Sequence, residues 1–328
     1  MRTLSLLVAF ICILPLHIGA SEQQVLGNLS YNEAAQQFVP TCLLELVGSI
    51  EGIDQKTLPH EVKIPVDIRK RIVRTRDFVD LFAFALPDSK IDGRDGFRSL
   101  RDDLDKGYEL VGEFKDLYDI QRSRNPSNPV YDEKEVHEKR QKVLKWRNQF
   151  LTEISIYEDY LKKIQPDQIY LRDKRFMSDF FWGVSETHPL EGELAQESFR
   201  RLLSDLLLAA LEEWPQVNAI KNPAKNTSSI ETFHDFRKRM RTVLKVVSYF
   251  PELGKGFEKE DFYFLENLIK QYGKISDQIV SLEKARERDQ NSEELKIKRR
   301  IRKSWKELQD WEESQNVPAW IRRLYTLL

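Results

Sequence analysis

The sequence predicts an all-α protein built from two divergent copies of a four-helix unit. Three observations lead there. The 328-residue chain carries only 13 Gly and 13 Pro, so little interrupts its long stretches of Leu, Lys, Glu and Arg. Apolar residues recur every three or four positions in segment after segment, the period of a helix and not of a strand. Short motifs also return: Asp67-Ile-Arg-Lys-Arg reappears as Asp235-Phe-Arg-Lys-Arg, an offset of 168 residues.

The elements follow in order. Arg2, the apolar run 4–18 and the small pair Gly19-Ala20 have the pattern of a secretory signal peptide over 1–20. The run is short for a membrane span and no stop-transfer segment follows it, so no transmembrane segment is expected in the mature chain. The expected location is secreted or periplasmic. Residues 21–56, with Gly27, Gly48 and Gly52, read as an N-terminal extension holding one short helix around 31–46.

A strong helix then starts after Pro65, with Ile68, Ile72, Thr75, Val79 and Phe82 as its core-facing stripe and Pro87-Asp88 as its stop. Helices are predicted over 97–120, 132–164 and 195–214, separated by a Pro-containing loop at 125–129 and an aromatic segment at 170–182. Residues 215–229, with Pro215, Pro223 and an Asn-Thr-Ser-Ser run, read as the linker. Helices over 230–250, 260–286 and 293–313 and a short apolar terminus at 316–328 complete the chain. Phe236, Met240, Val243, Val247 and Phe250 repeat the spacing of the first stripe, and both stripes end on an aromatic. The first half then covers 57–216 and the second 229–315.

Composition excludes several functions. Losing Arg2 with the leader from 52 basic and 53 acidic residues leaves a net charge of −2, which gives no support for nucleic-acid binding. Cys42 is the one cysteine outside the leader, so neither an internal disulfide nor a Cys-ligated metal site forms. Five scattered His make no metal cluster. There is no Gly-rich phosphate loop, no paired-His zinc helix and no nucleophile elbow. No cofactor, no metal and no catalysis are expected, and any anion site must come from local clusters of Lys and Arg.

Those clusters carry a resemblance. His234-Asp-Phe-Arg237-Lys-Arg-Met-Arg241, running on to Tyr249-Phe250, resembles the signature helix of the conserved-histidine α-helical domain (CHAD) family. Asp67-Ile-Arg69-Lys-Arg-Ile-Val-Arg74-Thr-Arg76 resembles its first copy. The family's Leu-Gly-x-x-Arg-Asp segment reads here as Val111-Gly112-Glu-Phe-Lys115-Asp116 and again as Tyr272-Gly273-Lys-Ile-Ser276-Asp277. Glu138-Lys-Arg140, Phe199-Arg-Arg-Leu-Leu203 and Arg299-Arg-Ile-Arg-Lys303 resemble its third, fourth and closing helices. The resemblance spans 57–315. It implies two helical bundles related by a pseudo-twofold around a basic central cavity, and non-catalytic binding of inorganic polyphosphate.

The residues themselves suit that ligand. Positions i, i+3, i+7 and i+11 of a helix line one face, and in the second copy they are His234, Arg237, Arg241 and Lys245, with Lys238 beside them. Arg forks onto phosphate oxygens and Lys adds a mobile point charge. The first copy contributes Arg69, Lys70, Arg74, Arg76 and Lys115, but Val66 stands where the histidine belongs. Arg140, Arg299 and Lys303 are secondary candidates. The expected partner is inorganic polyphosphate or another polyanion, with no specific nucleic acid. The alternative is a helical scaffold that binds a protein or an acidic envelope component.

Overall fold

The structure is a computed structural model that describes residues 25–53, 63–124, 133–172, 188–220, 222–224, 228–287 and 291–328. The expected leader, the loop at 125–129 and most of the aromatic segment, including Phe176, Phe180, Phe181 and Trp182, lie outside the described residues. What is described is all-α apart from one two-stranded hairpin. The chain divides into two compact units. One holds described residues 27–172 and 188–198, and the other holds Phe199–Leu328 with Val25 and Leu26.

The first unit opens on α1 (Tyr31–Glu51), followed by α2 (Lys63–Leu81), α3 (Gly96–Arg124) and α4 (Glu133–Leu161). α1 packs on α2 and α4, α2 on α3, and α3 on α4, which closes a ring of four helices. The region expected to be an extension is therefore a helix of the core, with Phe38, Val39, Cys42, Leu43 and Leu46 buried. Ser30 caps α1 through a capping box with Glu33, a contribution of about 1 kcal/mol. At the other end of α1, the carbonyls of Ile50 and Glu51 accept from Nε and Nη2 of Arg147 on α4, both at 2.9 Å. A cation at a helix C-terminus satisfies orphan acceptors and complements the dipole.

α2 ends in a similar way. Its last carbonyl, of Leu81, accepts from the buried Tyr31 hydroxyl at 2.6 Å, and in the turn that follows the carbonyl of Ala83 accepts from Arg172 Nε at 2.5 Å. Tyr31, Phe38, Phe78 and Phe82 form an aromatic core between α1 and α2, with centroids 5.3 to 6.2 Å apart. Each such pair contributes about 0.5–1.5 kcal/mol beyond its area. Between α2 and α3, strands β1 (Lys90–Ile91) and β2 (Arg94–Asp95) pair across Asp92 and Gly93, whose φ values are 49° and 82°. Two positive φ angles make this a type I′ turn, which Asp-Gly favours. Sequence periodicity passes over the hairpin because its strands are two residues each, yet the Asp-Gly pair announces it.

α5 (Ala195–Asn218) starts in the first unit, and from Phe199 on it belongs to the second. It continues through Pro215 to Asn218, so the expected linker begins as helix. α6 (Ser228–Tyr249), α7 (Lys259–Glu287), α8 (Asn291–Gln315) and α9 (Val317–Leu327) follow. α5 packs on α6 through Phe199 stacked on Phe250 at 5.2 Å and Trp214 against Phe236 at 5.7 Å. α6 packs on α7, and α7 on α8. The apolar terminus folds back as α9, where Trp320 stacks on Phe264 at 4.9 Å and Arg323 Nε donates to the fully buried Asp261 at 3.0 Å.

Candidate functional site

On α2 the stripe Ile68, Ile72, Thr75 and Val79 is buried, which fixes the rotation of the helix and turns its cations toward α1, α3 and solvent. Arg69 and Arg76, two turns apart, both meet Tyr108 of α3. Their guanidinium carbons stand 4.3 and 5.1 Å from the ring centroid. Arg69 Nη2 also donates to the Tyr108 hydroxyl at 2.7 Å, and its guanidinium faces Gly112. Arg76 donates to Asp105 at 3.0 Å. Asp105 also binds Arg101, whose Nε donates to the fully buried Asp80 at 2.8 Å. The result is a four-membered chain of alternating charge between α2 and α3. Arg74 pairs with Glu45 of α1 at 3.3 Å, Lys70 with Asp67 at 3.5 Å, and Lys115 with Asp116 at 3.8 Å.

The cations named on α6 occupy one stretch of helix. Phe236, Met240, Val243 and Val247 are buried, and His234, Arg237, Lys238, Arg241 and Lys245 flank them, partly buried. The His234 side chain is 44% exposed, and its Nδ1 lies 3.7 Å from the Asp235 carboxylate. Even so, the imidazole is held below its ordinary pKa, first by burial and then by the charge of Lys238. Asp235 opposes this, and Arg237 and Arg241 add to it. Arg237 faces Gly273 of α7, as Arg69 faces Gly112. Arg239, between them in sequence, is buried and forms an ion pair with Glu213 of α5. Its role is to hold α5 against α6.

The secondary candidates fall differently. Arg140 on α4 is partly buried, and its Nε is buried without a hydrogen-bond partner among the described residues. Arg299 and Lys303 on α8 are exposed, Lys303 being 80% exposed beside Glu307 at 3.9 Å. Other α8 cations are tied to acids: Lys298 to Glu294 at 2.6 Å and Lys296 to Glu293 at 3.6 Å. This is a solvated, self-compensated face, worth little per pair. A groove of about 470 Å³ on the second unit mixes Arg302 and Lys306 with Asp310 and Glu313, a sign pattern unsuited to a polyanion.

Sequence reading did not single out Tyr108 or Asp105. Tyr108 falls at helical spacing with the apolar Leu104 and Val111, and its hydroxyl is the one signal in the sequence that marks it as an arginine partner. Among the described residues, no group of three or more His, Cys, Asp or Glu is arranged to hold a metal ion. No described helix is long and apolar enough to cross a membrane. Scans of the chain against family models, curated proteins and solved structures return no match, so the reading of the site rests on its own residues.

Proposed function

We propose that this chain is a non-catalytic binder of inorganic polyphosphate or a similar phosphorylated polyanion, exported from the cytoplasm and built from two copies of one helical unit. The observation that carries the reading is the run of partly buried cations along α6, Arg237, Lys238, Arg241 and Lys245, beside His234, which burial first and then the charges of Lys238, Arg237 and Arg241 hold below its ordinary pKa. A row of phosphates relieves that crowding, and each Arg gives a charge-assisted hydrogen bond. The resemblance to the CHAD family points to the same ligand.

Three contacts support the two-copy reading. Tyr31 with Phe82 corresponds to Phe199 with Phe250, Glu45 with Arg71 to Glu213 with Arg239, and Arg69 with Gly112 to Arg237 with Gly273. The first two correspond at the same offset of 168 residues that separates Asp67 from Asp235. They set a frame in which α1 opens the first copy and α5 the second, one helix earlier than the sequence motifs alone imply.

The test is a titration of the purified chain with polyphosphate of defined length at low and high salt. Binding is expected to weaken steeply with salt, as counterion release requires. Absence of salt-sensitive binding overturns the proposal. Stoichiometric capture of a protein that polyphosphate does not displace would favour the scaffold reading instead.

A further inference from the structure

We propose that Gly112 and Gly273 are positioning residues, each providing a flat backbone seat on which the guanidinium of Arg69 or Arg237 is pre-set to receive a phosphate group. The inference rests on the polyanion-binding reading. Glycine is the poorest helix-interior residue after proline, yet both lie near the middle of 29-residue helices. Neither has a positive φ, so backbone conformation does not demand glycine there. Space does. A Cβ at position 112 would meet Cζ, Nε and Nη2 of Arg69, all at 3.4 Å. Three guanidinium atoms at one distance mean that the plane of the group lies face-on to the glycine. At position 273 the Cβ would lie 2.9 Å from Nη2, 3.1 Å from Cζ and 3.3 Å from Nε of Arg237. Among the other helical glycines, Gly48 has open space where its Cβ would be, and at Gly96 and Gly107 the Cβ would meet the rings of Tyr160 and Trp146; only at Gly112 and Gly273, among the described residues, is the neighbour an arginine.

The arginine is the third residue of Asp-x-Arg-Lys-Arg in both copies, and its seat is the next helix in both. A guanidinium held flat keeps its planar fork while surrendering fewer rotamers when a phosphate arrives. The first seat has a second support, since the Tyr108 hydroxyl accepts from Arg69. At the offset of 161 that relates the two glycines, Tyr108 becomes Ile269, which offers no acceptor. The Cβ contact is also closer at Gly273, 2.9 Å against 3.4 Å, so alanine there displaces its arginine further than at Gly112.

The experiment is a mutant cycle on the full mature chain, with sodium polyphosphate as the probe. Gly273→Ala is expected to weaken binding about tenfold, the worth of one charge-assisted hydrogen bond, and Gly112→Ala by less. Because Gly273→Ala removes no charge, the slope of log affinity against log salt should stay at its wild-type value. Arg237→Ala should lower that slope by about one. In the Arg237→Ala background, Gly273→Ala should cost no further affinity and should raise the thermal midpoint, as alanine for glycine does in an uncrowded helix. Equal binding by Gly273→Ala and wild type, with Arg237→Ala weakened, overturns the seat. So does an equal thermal gain in both backgrounds. Failure of the wild-type chain to bind polyphosphate overturns the functional reading and the phosphate role of the seat together, a result distinct from either.

Discussion

On α2, Arg74, Arg76 and Lys70 lie against the acids Glu45, Asp105 and Asp67, and two of those acids come from other helices. On α6, Arg237, Lys238 and Arg241 act together on one histidine that Asp235 only partly relieves. The two helices share a motif, and its charges meet different neighbours. Arg74 and Arg76 tie α2 to α1 and α3 through acids, and Arg237, Lys238 and Arg241 all bear on a group of their own helix. The same basic run can join helices or set the environment of a side chain beside it.

The sharpest way to break this comparison is to attack the α2 network. Asp80 is fully buried, and Arg101 is 15% exposed. Asp80→Ala strands buried guanidinium charge and should cost about 3–5 kcal/mol in urea unfolding. A cost below about 1 kcal/mol would show that α2 and α3 do not depend on the chain of charges.

Next in size is the direct contrast between the helices. Arg237→Ala with Arg241→Ala should weaken polyphosphate binding by about ten- to a hundredfold. Arg74→Ala with Arg76→Ala should lower stability and weaken binding by less. Titration and thermal melts of both pairs decide it, and equal binding losses would erase the distinction.

A third test uses a buried acid of the second unit. Glu312 accepts from the Tyr272 hydroxyl at 2.6 Å, and burial raises its pKa to about 7. A carboxyl whose folded pKa lies above its unfolded value is best accommodated when protonated. Its favourable contribution is present at low pH and is lost as pH rises from about 4.5 toward 7. Glu312→Gln should therefore gain on wild type by on the order of 2–3 kcal/mol across that window, read from urea midpoints at several pH values. A constant difference would mean that Glu312 titrates normally.

The smallest expected effect is at His234. Its pKa is depressed in the free chain and should rise when a polyanion sits beside it, so binding takes up a proton and tightens as pH falls below neutral. A two- to fivefold gain between pH 7.5 and 5.5, on the order of what one linked proton supplies, should vanish in His234→Gln. An unchanged pH profile in that variant would place His234 away from the ligand.

The helices themselves were legible. The stripes of α2 and α6 are buried as their spacing predicts, and the predicted helical stretches beyond residue 57 agree with the structure to within a few residues. The helix expected around 31–46 runs on to Glu51 through Gly48, and its place in the core was missed because Gly27, Gly48 and Gly52 made 21–56 read as an extension. Pro215 misled in the same way, since a proline in a helix that is packed elsewhere need not end it. The identity of the cations was plain in the sequence, but their partners were not. Glu45 lies 29 residues from Arg74, and Asp105 lies 29 residues from Arg76. No periodicity within one helix shows which acids a neighbouring helix will present.

Cys42 sits in the middle of α1 at 1% exposure, and its carbonyl accepts from the buried Thr75 hydroxyl of α2 at 3.0 Å. The thiol is out of reach of any reagent while α1 and α2 stay together. Its labelling rate therefore counts the openings of that helix pair and converts, against the rate for an unfolded chain, into a local opening free energy. The first unit thus carries its own stability gauge, with no probe to be added, and substitutions along the α2 charge network can be ranked by how fast they release a single sulfur.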